Sequence, residues 1–212
     1  MILTIDTDTK NWILDASDEK AARAGHVMDL EAAEYAVNWI ESNCRLYEGE
    51  GAGELIRLLN YQKLFITRLF GWRKWNHLRK RWVRRFRSAS LWAAKKNGKS
   101  PFLAALELCV LIGEGEPGQK VYTAAKDGEQ ARIAQRHAVK MVEQSPELEQ
   151  DCKIYANTLE IQHLPSDSRM TVLSVSSSSS RPAPATRPPS SFSTCATAST
   201  KPTDWNCTVD RL

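Results

Sequence analysis

Six residues near the middle of the chain, Lys95-Lys96-Asn97-Gly98-Lys99-Ser100, constrain the fold more than any other stretch. An apolar-rich segment, Ser88 to Ala94, precedes them, and a run with helical patterning, Phe102 to Ile112, follows. A strand, a turn ending in Gly-Lys-Ser and then a helix is the geometry of a phosphate-binding loop. Backbone N–H groups of the turn and the positive end of the helix hold the phosphates. In such a loop Lys99 reaches the β/γ-phosphates, and the Ser100 hydroxyl completes the shell of a Mg²⁺ ion. The full pattern places Gly five residues before Gly98, where this chain has Ala93. An exposed basic turn is the competing reading of the same residues.

Charge is partitioned sharply around this motif. Residues 1–60 carry 5 basic and 12 acidic side chains, residues 61–100 carry 13 basic and none acidic, and residues 101–174 carry 7 basic and 11 acidic. A block of that sign beside a phosphate loop attracts polyanions; a solvated basic face is the plainer alternative.

Five dispersed cysteines (Cys44, Cys109, Cys152, Cys195, Cys207) contain no Cys-x-x-Cys pair, so neither a disulfide framework nor a zinc site is expected. His26, His77, His137 and His163 lack metal-ligand spacing. No apolar run reaches the ~18 residues of a membrane span, and the N-terminus lacks a secretory pattern. These features predict a cytoplasmic protein with no membrane partner.

Residues 1–30 read as a polar leader, extended or partly ordered. Helical spacing begins at Asp29, with Ala32, Ala33, Ala36, Val37 and Ile40, and a second helix is expected over Leu55 to Phe70, with a break near Asn60. Residues 72–92 interleave Trp72, Trp75, Trp82 and Trp92 with arginine and lysine. Such tryptophans are core residues of a small unit or a stacking platform for single-stranded nucleic acid, and the core reading is preferred. Arg85 to Trp92 is expected to be the strand that delivers the loop. Lys120 to Ala125 reads as a strand, Asp127 to Val142 as a helix, and Leu159 to Ile161 and Met170 to Leu173 as further strands. The alternation predicts an α/β fold with a parallel sheet and flanking helices. From Ser174 the composition turns to Ser, Thr, Pro and Ala, which predicts a disordered tail over 175–212.

Taken in order, these motifs resemble the large terminase subunit of tailed bacteriophages. The resemblance rests on Tyr61-Gln62, Leu69-Phe70-Gly71-Trp72, Arg85-Phe86-Arg87, the loop Lys95 to Ser100, Gly115-Glu116-Pro117-Gly118, Val121 to Ala125 and Gln130-Ala131-Arg132-Ile133. It covers roughly Ala32 to Leu173, and Ala93 in place of glycine fits the family's own variant of the loop. The resemblance implies a P-loop NTPase-type ATPase domain over 31–174 that uses ATP and Mg²⁺. The nucleotide-binding residues would be Gln62 (on adenine), Lys95, Lys96, Asn97, Gly98, Lys99 and Ser100, with Ser100 also on the metal. Without the family, Gln62 is an ordinary exposed helix residue. Implied partners are double-stranded viral DNA, a small terminase subunit and a portal protein, within a bacterial host cell carrying a phage or prophage.

A motor of this kind next needs an apolar strand ending in acidic residues, then a nuclease domain. The chain offers Ser/Pro-rich sequence instead, so the sheet is expected to be incomplete, with no catalytic residue, and turnover is not expected. Asp127 and Glu129 have no matching role in the family, and Glu107 reads as an exposed salt-bridge residue. A change of reading frame near Ser174 accounts for this placement. Joining each codon's third base to the next two bases across Asp204-Trp205-Asn206-Cys207 forces Leu-Glu-Leu and then Tyr or His. Across Pro189 to Phe192 the same shift permits an apolar run followed by acidic positions. A natural disordered tail is the alternative to truncation by frameshift. Rival functions are another P-loop DNA motor and a non-enzymatic nucleic-acid-binding module built on the basic Trp-rich stretch.

Overall fold

A computed structural model describes residues 7–94, 97–125, 128–174, 192–198 and 205–211. The chain divides into two compact units, Met1–Glu41 with Arg57–Arg87, and Ser42–Ile56 with Ser88–Leu212.

The first unit begins with helices α1 (Thr7–Asn11) and α2 (Ala16–Arg23), strand β1 (Val27–Met28) and helix α3 (Leu30–Asn43). Part of the expected polar leader is therefore ordered, and its polar side chains do the ordering. Asp15 Oδ1 accepts the Asp18 N–H at 2.9 Å and starts α2. Thr9 Oγ1 accepts the Met28 N–H at 2.8 Å. Helix α3 buries Ala33, Ala36 and Ile40 along one face, at the spacing that the sequence shows. Helix α4 (Asn60–Gly71) leads directly into the antiparallel hairpin of β2 (Trp72–Asn76) and β3 (Arg81–Arg84), and β1 pairs with β2 to make a three-stranded sheet. A side chain at Gly71 would run into Met28 where β1 crosses.

Trp72, fully buried, centres this unit with Ala22 and Met28, and Trp12, Ile13, Leu30 and Phe86 pack around them. Beside it lies a buried carboxylate. Asp18 accepts Arg68 Nη2 at 2.8 Å and Arg85 Nη1 at 2.6 Å, while the Arg85 guanidinium stacks 4.9 Å from the Trp72 ring centroid. Two cations of the basic block thus point inward, toward an acid contributed by the leader. The core reading holds for Trp72 alone: Trp75, Trp82 and Trp92 are 42%, 46% and 62% exposed.

The second unit contains the loop. Helix α5 (Lys99–Leu108) continues into a π-helical turn, Cys109–Gly113, followed by β4 (Lys120–Ala125), α6 (Gly128–Glu143) and α7 (Pro146–Asp151). Strands β5 (Cys152–Tyr155), β6 (Glu160–His163), β7 (Ser168–Ser174), β8 (Phe192–Ala198) and β9 (Trp205–Arg211) complete it. The sheet order is β5-β6-β7-β4-β8-β9, with β4 parallel to both of its neighbours and the other pairs antiparallel. The α/β expectation holds: a parallel centre carries α5 and α6, which pack on each other, with α6 also against β4 and β7. Near α3, Leu55 bridges Arg45 and the Ile56 N–H bonds to Cys44 O. That commits the backbone before Asn60 and explains why α4 starts there and not at Leu55.

One expectation meets a different structure. Arg85 to Trp92 forms no strand: β3 ends at Arg84, and the strands that flank β4 are β7 and β8. Within 175–212, the described residues form β8, which pairs with β4 (Thr123 opposite Thr194, Ala124 opposite Cys195), and β9, which pairs with β8. The remaining residues of the stretch lie outside those described.

Candidate functional site

The loop enters α5 through Gly98, which has φ +63 and open space where a Cβ would be. This left-handed backbone is what glycine permits at a tight entry into a helix. Phe102 N–H already returns to Gly98 O at 3.0 Å, so helical bonding starts at the motif itself. Helix geometry leaves the N–H groups of Lys99 and Ser100 without intrahelical acceptors, and Pro101 has no N–H to satisfy. Those two donors and the helix dipole make an anion-attracting end.

Lys99 folds back over the loop. Its Nζ donates to Ala93 O at 3.0 Å and Ala94 O at 2.7 Å. The ammonium is therefore held inside the turn by carbonyls. Asn97 and Gly98 are exposed, and Ser100 is half-buried at the second helical position. Lys95 and Lys96 lie outside the described residues, as does Asp127. Glu129, near the start of α6, is exposed and stands 3.9 Å from Arg136.

The expected adenine-side residue, Gln62, belongs to the first unit. It is 5% exposed, and its Oε1 accepts the Leu59 N–H at 2.9 Å, capping α4. Its Nε2 approaches Tyr61 Oη at 3.3 Å. The structure thus gives Gln62 a helix-capping task.

Glu107 is corrected. It is 1% exposed, on the buried face of α5, and burial pushes its carboxyl up to about 8. Its Oε2 lies 3.1 Å from Thr123 Oγ1 on β4, and Thr123 Oγ1 lies 3.0 Å from Gln135 Oε1 on α6. Gln135 Nε2 donates to Leu159 O at 2.8 Å. Sequence reasoning missed this chain, although one signal was available: every neighbour of Glu107 from Phe102 to Leu111 is apolar.

The turn Gly115 to Gly118 docks on the start of β7. Gly118 N–H donates to Ser166 O at 2.7 Å, and Ser168 Oγ donates to Glu116 O at 3.2 Å. This fixes β4 in register with β7. A separate cleft lined by Ser42, Asn43, Arg45, Ser145, Pro146 and Glu147 includes no loop residue. Cys44, Cys109 and Cys152 are buried thiols that form no disulfide among the described residues. Among the described residues, no group of three or more His, Cys, Asp or Glu is placed to hold a metal, and no helix is long and apolar enough to cross a membrane.

A glycine-started helix carrying Gly-Lys-Ser thus stands in an α/β unit whose sheet has a parallel centre. The chain matches the family described as terminase large subunit, ATPase domain, over residues 60–181, and it belongs to that family. The crystal structure of the HK97 bacteriophage large terminase is similar, with a TM-score of 0.54 and 26% identity. That likeness covers 71% of this chain and 29% of the HK97 chain, so the chain spans under a third of that relative's length. No curated protein matches.

Proposed function

We propose that this chain is the nucleotide-holding part of a viral DNA-packaging motor. ATP would sit on the N-terminus of α5. Lys99 would exchange the Ala93 and Ala94 carbonyls for β/γ-phosphate oxygens, the Lys99 and Ser100 N–H groups would add donors, and Ser100 Oγ would touch Mg²⁺. Bound Mg²⁺ would neutralise the developing phosphate charge. Lys95 and Lys96 would add positive charge and Asn97 would shape the turn. If Gln62 reads adenine, its amide must leave Leu59, which forfeits a cap of about 1 kcal/mol. The observation that carries the reading is Lys99 Nζ held over its own loop at a glycine-started helix.

The proposal extends to double-stranded viral DNA, small terminase subunit and portal protein as partners, in the host cytoplasm. It also includes a frame change: the family match ends at residue 181, inside the Ser/Pro-rich run. Reading the nucleotide sequence across codons 170–215 in all three frames tests this; it is overturned if no frame encodes an apolar strand ending in acids.

Nucleotide binding is tested with a fluorescent ATP analogue on the 212-residue chain. Weak, Mg²⁺-dependent binding is expected, and Lys99→Ala should abolish it. Equal affinity in the variant would reduce the loop to a basic turn.

A further inference from the structure

The hairpin of β2 and β3 has no part in the phosphate-loop reading. From Trp72 to Arg85 it carries seven Lys and Arg residues and no acid. Arg85 pairs with Asp18, Arg73 with Asp29, and Arg84 lies over the Phe70 ring. Among the described residues, no carboxylate pairs with Lys74, Arg79 or Lys80. The tip, His77 to Lys80, is exposed throughout, and Leu78 reaches 96%. Yet the tip is a built turn. Asn76 Oδ1 accepts the N–H groups of both Leu78 and Arg79 at 3.0 Å, and Lys80 takes the left-handed conformation at φ 48. Behind it, Trp75 and Trp82 face each other across the strands, edge to face, with centroids 5.5 Å apart.

We propose that this hairpin grips duplex DNA, its basic tip entering a groove and its cations neutralising phosphates on the groove walls. A two-stranded ribbon fits the B-form major groove, which is ~12 Å wide, whereas the A-form major groove is too narrow to admit it. Single strands are bound by aromatic faces left open for bases. Trp75 and Trp82 instead pack on each other and stiffen the ribbon. The fixed backbone at Asn76 and Lys80 keeps Arg79 and Lys80 at the apex at little further cost in entropy. The grip rests on the reading of the chain as part of a DNA motor for its biological setting, but its physical argument stands on the hairpin alone.

The test is fluorescence anisotropy of the full chain with a labelled DNA duplex over a salt series. The variant Arg79→Gln/Lys80→Asn removes two charges and keeps a residue at 80 that tolerates positive φ. Its affinity should fall about tenfold, equally for unrelated sequences, and the slope of log K against log salt should become shallower by about 2. The swap Arg79→Lys/Lys80→Arg should keep both affinity and slope. An unchanged affinity and slope in the charge-removing variant overturns the proposal. So does tighter binding of a single-stranded oligonucleotide that is lost in Trp75→Ala. ATP-analogue binding on the same samples should not respond to the tip, so failure of the loop and failure of the hairpin are read separately.

Discussion

The hydroxyl of Thr123 lies 3.1 Å from the Glu107 carboxylate, in the buried seam between β4 and the helix that follows the Gly-Lys-Ser turn. Thr123 has one proton and two acceptors in reach, Glu107 Oε2 and Gln135 Oε1. A protonated Glu107 resolves the competition: it donates to Thr123, Thr123 donates to Gln135, and Gln135 donates to Leu159 O. Burial that raises the carboxyl to about 8 favours the same proton. The other oxygen, Oε1, has no hydrogen-bond partner, which suits a neutral acid better than a buried anion.

Glu107 therefore makes stability pH-dependent, and proton counts set the sign. Between its unfolded value near 4.5 and its folded value of about 8, the native protein holds a proton that the unfolded chain has lost. Stability contributed by this proton is complete below 4.5 and drains away as pH rises toward 8. The loss from pH 5 to 8 is on the order of 4 kcal/mol. Glu107→Gln preserves a donor to Thr123 and cannot ionise. Urea unfolding at several pH values should show the variant matching the parent near pH 5 and exceeding it near pH 8. Parallel pH profiles would place a charged Glu107 in the native protein.

Asp18 tests how the first unit tolerates its buried cations. Asp18→Asn keeps the shape but leaves Arg68 and Arg85 beside the core without their shared counter-charge. A loss of about 3 kcal/mol is expected, at the low end for a broken buried pair, because Arg68 is a quarter exposed and also meets Asp15 at 3.3 Å. Replacing all three residues by apolar side chains of similar volume should recover much of the loss. Tryptophan fluorescence during denaturation reports the change, since Trp72 lies under Arg85. A midpoint indifferent to Asp18→Asn would make the cluster a surface ion pair in energetic terms.

Elements set by local pattern are legible in the sequence. The loop, α5, β4 and α6 are encoded by a glycine turn, continuous apolar runs and helical alanine spacing, each read without knowing its neighbours. Elements that depend on distant partners are hidden in it. Whether Arg85 to Trp92 pairs as a strand depends on a partner edge that its own residues do not encode. Helix α2 looked like polar leader because the value of Asp18 lies in Arg68 and Arg85, roughly fifty and sixty-seven residues away. Gln62 read as an exposed helix residue or an adenine contact, since its cap on Leu59 depends on where α4 begins.

The chain as given should not hydrolyse ATP at a meaningful rate. Hydrolysis needs one carboxylate to organise Mg²⁺ and another to position the attacking water. The strand lying parallel to β4 on the side away from β7 is β8, and its sequence, Phe-Ser-Thr-Cys-Ala-Thr-Ala, contains no acid. Glu107 is nearest in sequence to the loop, but it is buried behind α5, bonded to Thr123, and favoured in its neutral form at pH 7. A neutral acid facing the core neither binds Mg²⁺ nor accepts a proton from water. Glu129 is exposed beside Arg136. Phosphate release by the purified chain, measured beside Lys99→Ala, should be at background in both, while ATP-analogue binding separates them. Lys99-dependent turnover that survives Glu107→Gln would locate a catalytic carboxylate elsewhere in this chain and remove the case for a frame change. Turnover lost in Glu107→Gln would mean that α5 rotates its buried acid toward the loop when nucleotide binds.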